Sequence, residues 1–377
     1  MRNNRTGKRG ALVSMQNLTI AVWDPYSNNR TTFEQIGDFD AKRFFQEKNI
    51  SIGTINAYDD FTKCDYVVFL ESDELLRGGF FVKCVTHNLE NKLILFSFEP
   101  TLHNKKRRVQ NLLHYFKYVL TWNDDFIDNK RVFKFKYPVY HPSYASLPES
   151  EPGARSKLLT SISGNQRHSN PLNLYRKRRE IIDFFENNAN GDYEFYGKGW
   201  NKASFKNYRG TVDSKYHTFI NYKFAICFEN SRETGYITEK IFDCLAARTI
   251  PIYLGAPNVA DYIPGNCFID YTQFGSIQEM YDFIKNMDDN TYDGYIRNIN
   301  SFLNSDLVRP FTWEAFFTGL YQVIQYDQNT PRPFELKISN YRKLCIYTNH
   351  VFKKIEKKVR NIRDDIIRRV TRRDTVN

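Results

Sequence analysis

The sequence predicts an α/β protein of two similar-sized domains facing across a cleft, followed by a basic amphipathic helix. Three observations carry that expectation. Short, continuous apolar runs alternate with longer polar stretches of helical pattern, as strands buried on both faces of a parallel sheet require. A proline- and serine-rich segment, 146–173, interrupts this alternation. At 377 residues the chain is also long enough for two cores.

NLTIAVWD (17–24) is the first strand-like run, ending at an Asp-Pro turn, and a helical stretch follows near 38–48. CDYVVFL (64–70), KLILFSF (92–98) and YVLTW (118–122) are further strands, so residues 15–145 are expected to form the first domain. Segment 146–173, with Pro148, Pro152 and Pro171, reads as a linker or loop that contains a strand-like LLTSIS. From residue 174 the alternation resumes and is expected to run to 335. The helix NLYRKRREIIDFFENN is followed by the strands DYEFYG (192–197) and YKFAICF (222–228). The helix TEKIFDCLAA (238–247), the strand TIPIYLG (249–255), NCFIDY (266–271) and a helix over 276–287 complete it. No internal repeat is visible. A ligand is expected in the cleft, beyond the carboxyl ends of the strands.

Hydrophobic residues at 41% and aromatics at 16% exclude a disordered chain. No apolar stretch is long enough to span a membrane, and the opening MRNNRTGKRG lacks the apolar core of a secretion signal. The six cysteines form no CxxC pair, and Cys64, Cys227 and Cys244 lie in or beside apolar runs. They read as reduced core thiols in a reducing compartment, hence a cytoplasmic location, including the inner face of a membrane. The formal charge of +11 implies an anionic partner, but residues 353–373 hold ten Lys/Arg against three acids, which is +7 of it. The body is only mildly basic, which argues against a nucleic-acid groove across it. Within the tail, 336–377, Phe352, Ile355, Val359, Ile362 and Ile366 recur at spacings of 3 and 4 on one stripe. Such a helix suits an anionic membrane surface first; pairing with another helix, self-association or packing on the body comes second, and nucleic acid last.

The densest group of reactive side chains is CFENSRETGYITEK (227–240). With a helix beginning near Thr238, Glu239 and Lys240 lie in its first turn, whose open N–H groups suit a phosphate. Lys240 adds charge, and Glu239 suits sugar hydroxyls. Taken singly, each residue has an ordinary explanation: Glu239 as an acid at a helix start, Asn230 as turn chemistry, Tyr236 as packing. Glu99 lies just past an apolar strand, flanked by Phe96 and Phe98, where a carboxylate could accept a proton or simply cap a helix. In YRKRREII, Arg178 shares a face with Ile181 and Phe185, so it points inward and needs an anion, a diphosphate or an internal carboxylate. Arg179, Arg209, Lys215 and Glu229 are secondary candidates. The acidic pairs Asp59–Asp60 and Asp124–Asp125 read as solvated caps, and no metal site is expected.

The stretch YKFAICFENSRETGYITEKIFDCLAARTIPIYLGAPNVADYIP (222–264) resembles the signature of the α-1,3/4-fucosyltransferase family, glycosyltransferase family 10. FSFEP (96–100) resembles its second short motif. The resemblance implies a GT-B fold of two Rossmann-like domains. It implies inverting transfer of L-fucose from GDP-β-L-fucose to an N-acetylglucosamine-containing glycan, in α-1,3 or α-1,4 linkage. It assigns Glu99 as general base, Glu239 to the fucose ring, and Asn230, Tyr236, Lys240 and Arg178 to GDP. It requires no cofactor, with Mn2+ or Mg2+ at most stimulatory, and the basic tail points to a bacterial or viral type. The alternatives are a GT-B transferase for another nucleotide sugar and a non-catalytic basic glycan-binding or interaction protein.

Overall fold

Two parallel sheets organise the chain. The computed structural model describes residues 17–25, 33–34, 36–71, 78–100, 109–147, 155–166, 170–188, 191–331 and 334–373, with side chains to 364. The first sheet has β1 (Leu18–Trp23), β2 (Ile50–Thr54), β3 (Tyr66–Phe69), β4 (Leu93–Ser97), β5 (Tyr118–Thr121) and β6 (Val132–Lys134). Its spatial order is β2-β1-β3-β4-β5-β6. The second has β7 (Lys157–Ile162), β8 (Tyr193–Tyr196), β9 (Tyr222–Phe228), β10 (Ile250–Leu254) and β11 (Ile269–Asp270), in the order β11-β10-β9-β7-β8. The helices are α1 (Ala41–Gln46), α2 (Gly79–Thr86), α3 (Val109–Leu112), α4 (Ser143–Ser146), α5 (Tyr175–Asn188) and α6 (Lys215–Phe219). They continue with α7 (Glu239–Ala246), α8 (Ile277–Lys285), α9 (Asp289–Leu303), α10 (Trp313–Asn329) and α11 (Asn340–Arg373).

The apolar runs form strands because both faces of each sheet are covered. In the first sheet Ile20, Val22, Val68, Ile94, Phe96 and Leu120 point into one core, and Ala21, Val67, Phe69, Leu95 and Val119 into the other. The strands therefore read as unbroken apolar segments rather than as alternating ones.

Both expected boundaries of the second domain move. Segment 146–173 is more than a connector: its LLTSIS stretch is β7, between β9 and β8 in the interior of the second sheet. Its polar residues hide that position, because their hydroxyls are satisfied internally. Thr160 donates to the carbonyl of Glu194 at 2.9 Å, and the Ser161 and Tyr193 hydroxyls lie 2.6 Å apart. Just before β7, buried Arg155 donates to the carbonyls of Tyr222 and Phe219 and to the Thr249 hydroxyl. The second domain thus begins near 155 rather than 174.

At the other end, α10 returns to the first domain instead of closing the second. Phe316, Phe317, Leu320, Val323 and Ile324 are buried in the core beneath β1, β3, β4 and β5. Asp327 near the end of α10 accepts from Lys117 at 2.5 Å, Tyr118 at 2.6 Å and Tyr66 at 2.9 Å. A helical apolar stripe shows that α10 must be covered, but not by which domain. The tail also starts on the first domain: Leu336 and Ile338 are buried in its opposite core, α11 packs on α2, and Lys343 pairs with Glu90 at 2.9 Å.

The domains meet at Asp124, which is a junction residue rather than a solvated cap. Its carboxylate pairs with Lys134 and accepts from Asn258 at 2.9 Å and Tyr262 at 2.6 Å, both in the second domain. Burial pushes the carboxyl up, but hydrogen bonds from Lys134, Tyr262 and Asn258 outweigh it and hold it below the usual range. Lys136 Nζ sits 2.8 Å from the centroid of the Tyr262 ring. Burial, helped by the Lys134 charge and opposed by Asp124 and Asp261, pushes Lys136 down to about 7.

Two stability effects are expected. Asp327→Ala leaves the buried Lys117 ammonium without its carboxylate and should cost about 3 kcal/mol or more in urea unfolding. An unchanged midpoint would show that α10 is not anchored there. Lys136 is neutral in the folded chain above about 7, while an unfolded lysine holds its proton to about 10.4. Between those values the unfolded state binds more protons, so this lysine makes stability rise with pH. Lys136→Met should flatten that rise over about pH 7.5–9.5, and an identical slope in the variant would contradict it.

Candidate active site

A cavity of about 610 Å3 opens between the two sheets, at the carboxyl ends of their strands. The first domain contributes Asp24 beyond β1, Leu70 beyond β3, Phe98 and Glu99 beyond β4, and Tyr137 beyond β6; α10 adds Trp313. The second domain contributes Asn230, Tyr236, Thr238, Glu239 and Lys240.

The second-domain groups are set by one buried acid. Glu229 follows β9 directly and is fully buried. Its carboxylate accepts from the Thr238 backbone N–H at 2.9 Å and from the Thr238 hydroxyl at 2.8 Å, and Lys240 Nζ lies 3.3 Å away. Thr238 is the N-cap of α7 yet gives the helix no side-chain capping bond, because its hydroxyl is committed to Glu229. Glu229 therefore anchors the start of α7 and does not line the cavity. Of the secondary candidates, Glu229 is thus a positioning residue.

Lys240 is pulled down by burial, but Glu229 and Glu239 outweigh that and raise it, so it stays charged. Glu239 keeps a half-exposed side chain facing the cavity. Burial raises its carboxyl, and Lys240 and Lys215 outweigh this to hold it below its ordinary value. Tyr236 reaches across to the first domain. Its ring lies 4.7 Å from that of Trp122 and 6.0 Å from that of Tyr137, while it also lines the cavity. Its hydroxyl is pushed well up by burial and by the charges of Glu229, Glu99 and Glu239, so carboxylates from both domains converge around it.

Arg178 lies on the inner face of α5, where its register with Ile181 and Phe185 puts it. It donates to the Phe228 carbonyl at 2.5 Å and to the Asn230 side chain at 3.0 Å, and burial lowers its pKa. Two smaller cavities share it: one of about 40 Å3 with Lys215 and Lys240, and one of about 430 Å3 with Tyr175, Arg179, Trp200 and the 163–166 loop. Lys240 and Arg178 thus link the large cavity to the 430 Å3 one. Lys215 pairs with Asp243 at 2.6 Å and stands 3.7 Å from Glu239. Arg179 pairs with Asp183 at 2.8 Å and stacks near Trp200. Arg209 is not brought to the site: it donates to Glu194 at 2.8 Å and to the Lys206 carbonyl, and lines none of these three cavities.

Glu99 projects from a loop held on both sides. Its own N–H donates to Glu71 at 2.9 Å, and the preceding Phe98 carbonyl accepts from Trp122 Nε1 at 2.8 Å and from the Tyr137 hydroxyl. Glu71 was legible in principle, because it follows the apolar run of β3 as Glu99 follows that of β4. Asp24, Tyr175, Thr238 and Trp313 were not singled out by sequence. Asp24 had a comparable signal at the end of β1, whereas Trp313 had none, since only the return of α10 brings it to the cleft.

The arrangement places a carboxylate on one wall and retained cations on the other, with room between them for a polar ligand. Comparison with known proteins adds a family to this geometry. The model described as "Glycosyltransferase family 10 (fucosyltransferase) C-term" matches residues 155–307. An alpha-(1,4)-fucosyltransferase of Arabidopsis thaliana is 42% identical over 69 residues, 18% of this chain and 17% of that protein. Alpha-(1,3)-fucosyltransferase FucT of Helicobacter pylori is 42% identical over 74 residues, 20% of this chain and 16% of that protein. GDP-fucose protein O-fucosyltransferase 3 of Homo sapiens is 33% identical over 88 residues, 22% of this chain and 18% of that protein. These alignments span less than a fifth of each relative's length. A crystal structure of an alpha1,3-fucosyltransferase with GDP-fucose superposes with a TM-score of 0.54 at 17% identity, over 89% of this chain and 96% of that one. That likeness extends over both domains and shows a GT-B fold. The matched segment starts where the second domain starts and carries Arg178, Glu229, Asn230, Glu239 and Lys240, so the second domain is similar to the C-terminal part of glycosyltransferase family 10.

Proposed function

We propose that this protein is an inverting glycosyltransferase that moves L-fucose from GDP-β-L-fucose to a hydroxyl of an N-acetylglucosamine-containing glycan, in α-1,3 or α-1,4 linkage. The observation that carries the reading is the opposition of Glu99, on the first-domain wall, to Glu239 and Lys240 on the second, in one cavity. Relatives named as α-1,4-, α-1,3- and protein O-fucosyltransferases agree on the sugar and differ in the acceptor. They support the donor more directly than the acceptor.

The chain of cavities suits a nucleotide sugar laid along it. Fucose occupies the large cavity beside Glu239, the diphosphate lies between Lys240 and Arg178, and the nucleoside extends toward the 430 Å3 cavity. The start of α7 adds backbone N–H groups at the phosphate end. In the transfer, the acceptor hydroxyl gives its proton to Glu99 as its oxygen attacks the anomeric carbon. The bond from that carbon to the β-phosphate oxygen breaks, and GDP leaves with the electron pair. Negative charge grows on the leaving phosphate, where Lys240 and Arg178 bind the transition state more strongly than the ground state. A single carboxylate on the face opposite the leaving group suffices, and the configuration inverts. On the acceptor side, Phe98, Tyr137 and Trp313 form an aromatic wall suited to the apolar face of a pyranose or to an acetamido methyl, with Asp24 nearby for hydroxyls.

Glu99→Gln should bind GDP-fucose within a few-fold of wild type and lose transfer by roughly a hundredfold or more, because only proton abstraction is removed. Calorimetry and product formation measure the two effects. A variant that keeps most of its kcat moves the base to another residue. Lys240→Ala should weaken GDP and GDP-fucose alike, by about tenfold, since its charge already meets the ground-state diphosphate. Equal GDP affinity in variant and wild type would remove Lys240 from the donor site.

A further inference from the structure

Glu239 begins α7 on a half-exposed side chain, and a glutamate so placed has several staggered conformations open to it. Two cations fix its carboxylate, and both do so at the same oxygen. Lys240 Nζ lies 3.4 Å from Glu239 Oε1 and Lys215 Nζ 3.7 Å from it. Oε2 is left without a side-chain partner among the described residues. Lys240 is the neighbouring residue on α7 and is shared with Glu229 at 3.3 Å, whereas Lys215 comes from a separate helix. That helix, α6, is capped by the Ser214 hydroxyl, which accepts from the His217 N–H. It buries Phe219 in the core of the second domain and packs on α7. Lys215 is held in turn by Asp243 at 2.6 Å, one turn beyond Glu239 on α7. Burial lowers the Lys215 ammonium, but Asp243 and Glu239 outweigh it and raise it, so it stays charged. Without Lys215, Glu239 and Asp243 would be like charges at i and i+4, which repel.

We infer that Lys215 is a positioning residue: braced on Asp243, it holds Glu239 Oε1 so that Oε2 meets a hydroxyl of the transferred sugar. The inference rests on the proposed placing of fucose beside Glu239. Charges alternate from contact to contact, from Asp243 through Lys215, Glu239 and Lys240 to Glu229, at 2.6, 3.7, 3.4 and 3.3 Å. Both end members are the sheltered ones, with the Asp243 side chain 20% exposed and Glu229 fully buried. The middle member, Glu239, is the acid that faces the large cavity. A network anchored at both ends holds its central group more firmly than an isolated surface pair does. Lys215 itself lines the 40 Å3 cavity and not the large one, so it acts on the sugar through Glu239. To meet the diphosphate directly it would have to leave Asp243.

Calorimetry with GDP and initial rates with GDP-fucose and N-acetyllactosamine test the inference on the full chain. Lys215→Gln should keep GDP affinity within about twofold and lower kcat/KM for GDP-fucose roughly tenfold. Lys215→Arg, whose guanidinium can meet both carboxylates, should recover most of that loss. In a Glu239→Gln background, adding Lys215→Gln should cost nothing further, because the group it positions is already neutral. Thermal unfolding checks that each variant is folded, as expected at a position 41% exposed. A Lys215→Gln variant with wild-type kcat/KM overturns the inference. So does a GDP affinity that falls as far as kcat/KM, which would put Lys215 on the diphosphate. An equal loss with and without Glu239→Gln overturns it too, since the lysine would then serve only the fold. Glu239→Gln alone separates the two levels. If that variant transfers fucose like wild type, the placing of fucose beside Glu239 fails and the inference with it. If it is impaired while Lys215→Gln is not, the inference alone fails.

Discussion

The carboxylate of Glu229 is the constraint on which the site depends. A fully buried acid is costly unless it is paired and hydrogen-bonded, and Thr238 and Lys240 supply both conditions. Meeting them draws the start of α7 back against the end of β9, so the residues between must loop outward. That loop carries Tyr236 to Trp122 and Tyr137 of the first domain. It also passes so close to Trp122 that a Cβ on Gly235, at φ +83°, would clash with the Trp122 carbonyl oxygen. Gly255, after β10, is required for the same reason, since a Cβ there would come within 2.6 Å of the Glu229 side chain. One buried acid thus places Lys240, begins the helix that borders the cavity, and sends out the residue that joins the domains.

The opposite wall uses a different device. Glu99 is placed by its backbone: Glu71 accepts from its N–H, and the Phe98 carbonyl is held by Trp122 and Tyr137. Trp122 and Tyr137 are also the residues that receive Tyr236. The loop of Glu99 and the loop of Tyr236 therefore share a support, and packed rings and the Asp124 cluster join the two walls of the cavity. In the proposed reaction, Lys240 across the cavity from Glu99 suits charge moving from an acceptor hydroxyl to a leaving diphosphate.

Much of this was legible in the sequence, for local reasons. The buried strands are continuous apolar runs, and Glu99, Glu239 and Lys240 follow or begin elements whose ends could be read from pattern alone. Arg178 was placed by helical register. What could not be read depended on partners distant in the chain. β7 was hidden because Thr160 and Ser161 look like loop residues until Glu194 and Tyr193 satisfy them. α10 showed that it needed a core without showing which one. Asp124 looked like a cap because Asn258 and Tyr262 lie in the other domain, and the basic character of Arg209 could not reveal that Glu194 claims it.

In the proposed mechanism one first-domain carboxylate faces a donor held by second-domain cations, so displacement is direct and single. The anomeric configuration of the product tests this most directly. With GDP-β-L-fucose and an N-acetyllactosamine acceptor, proton NMR of the product formed before any side reaction should show an α-fucoside alone. A β-fucoside would mean two successive displacements, with a carboxylate such as Glu239 bonding to the sugar, and would contradict the proposed roles of both walls of the cleft.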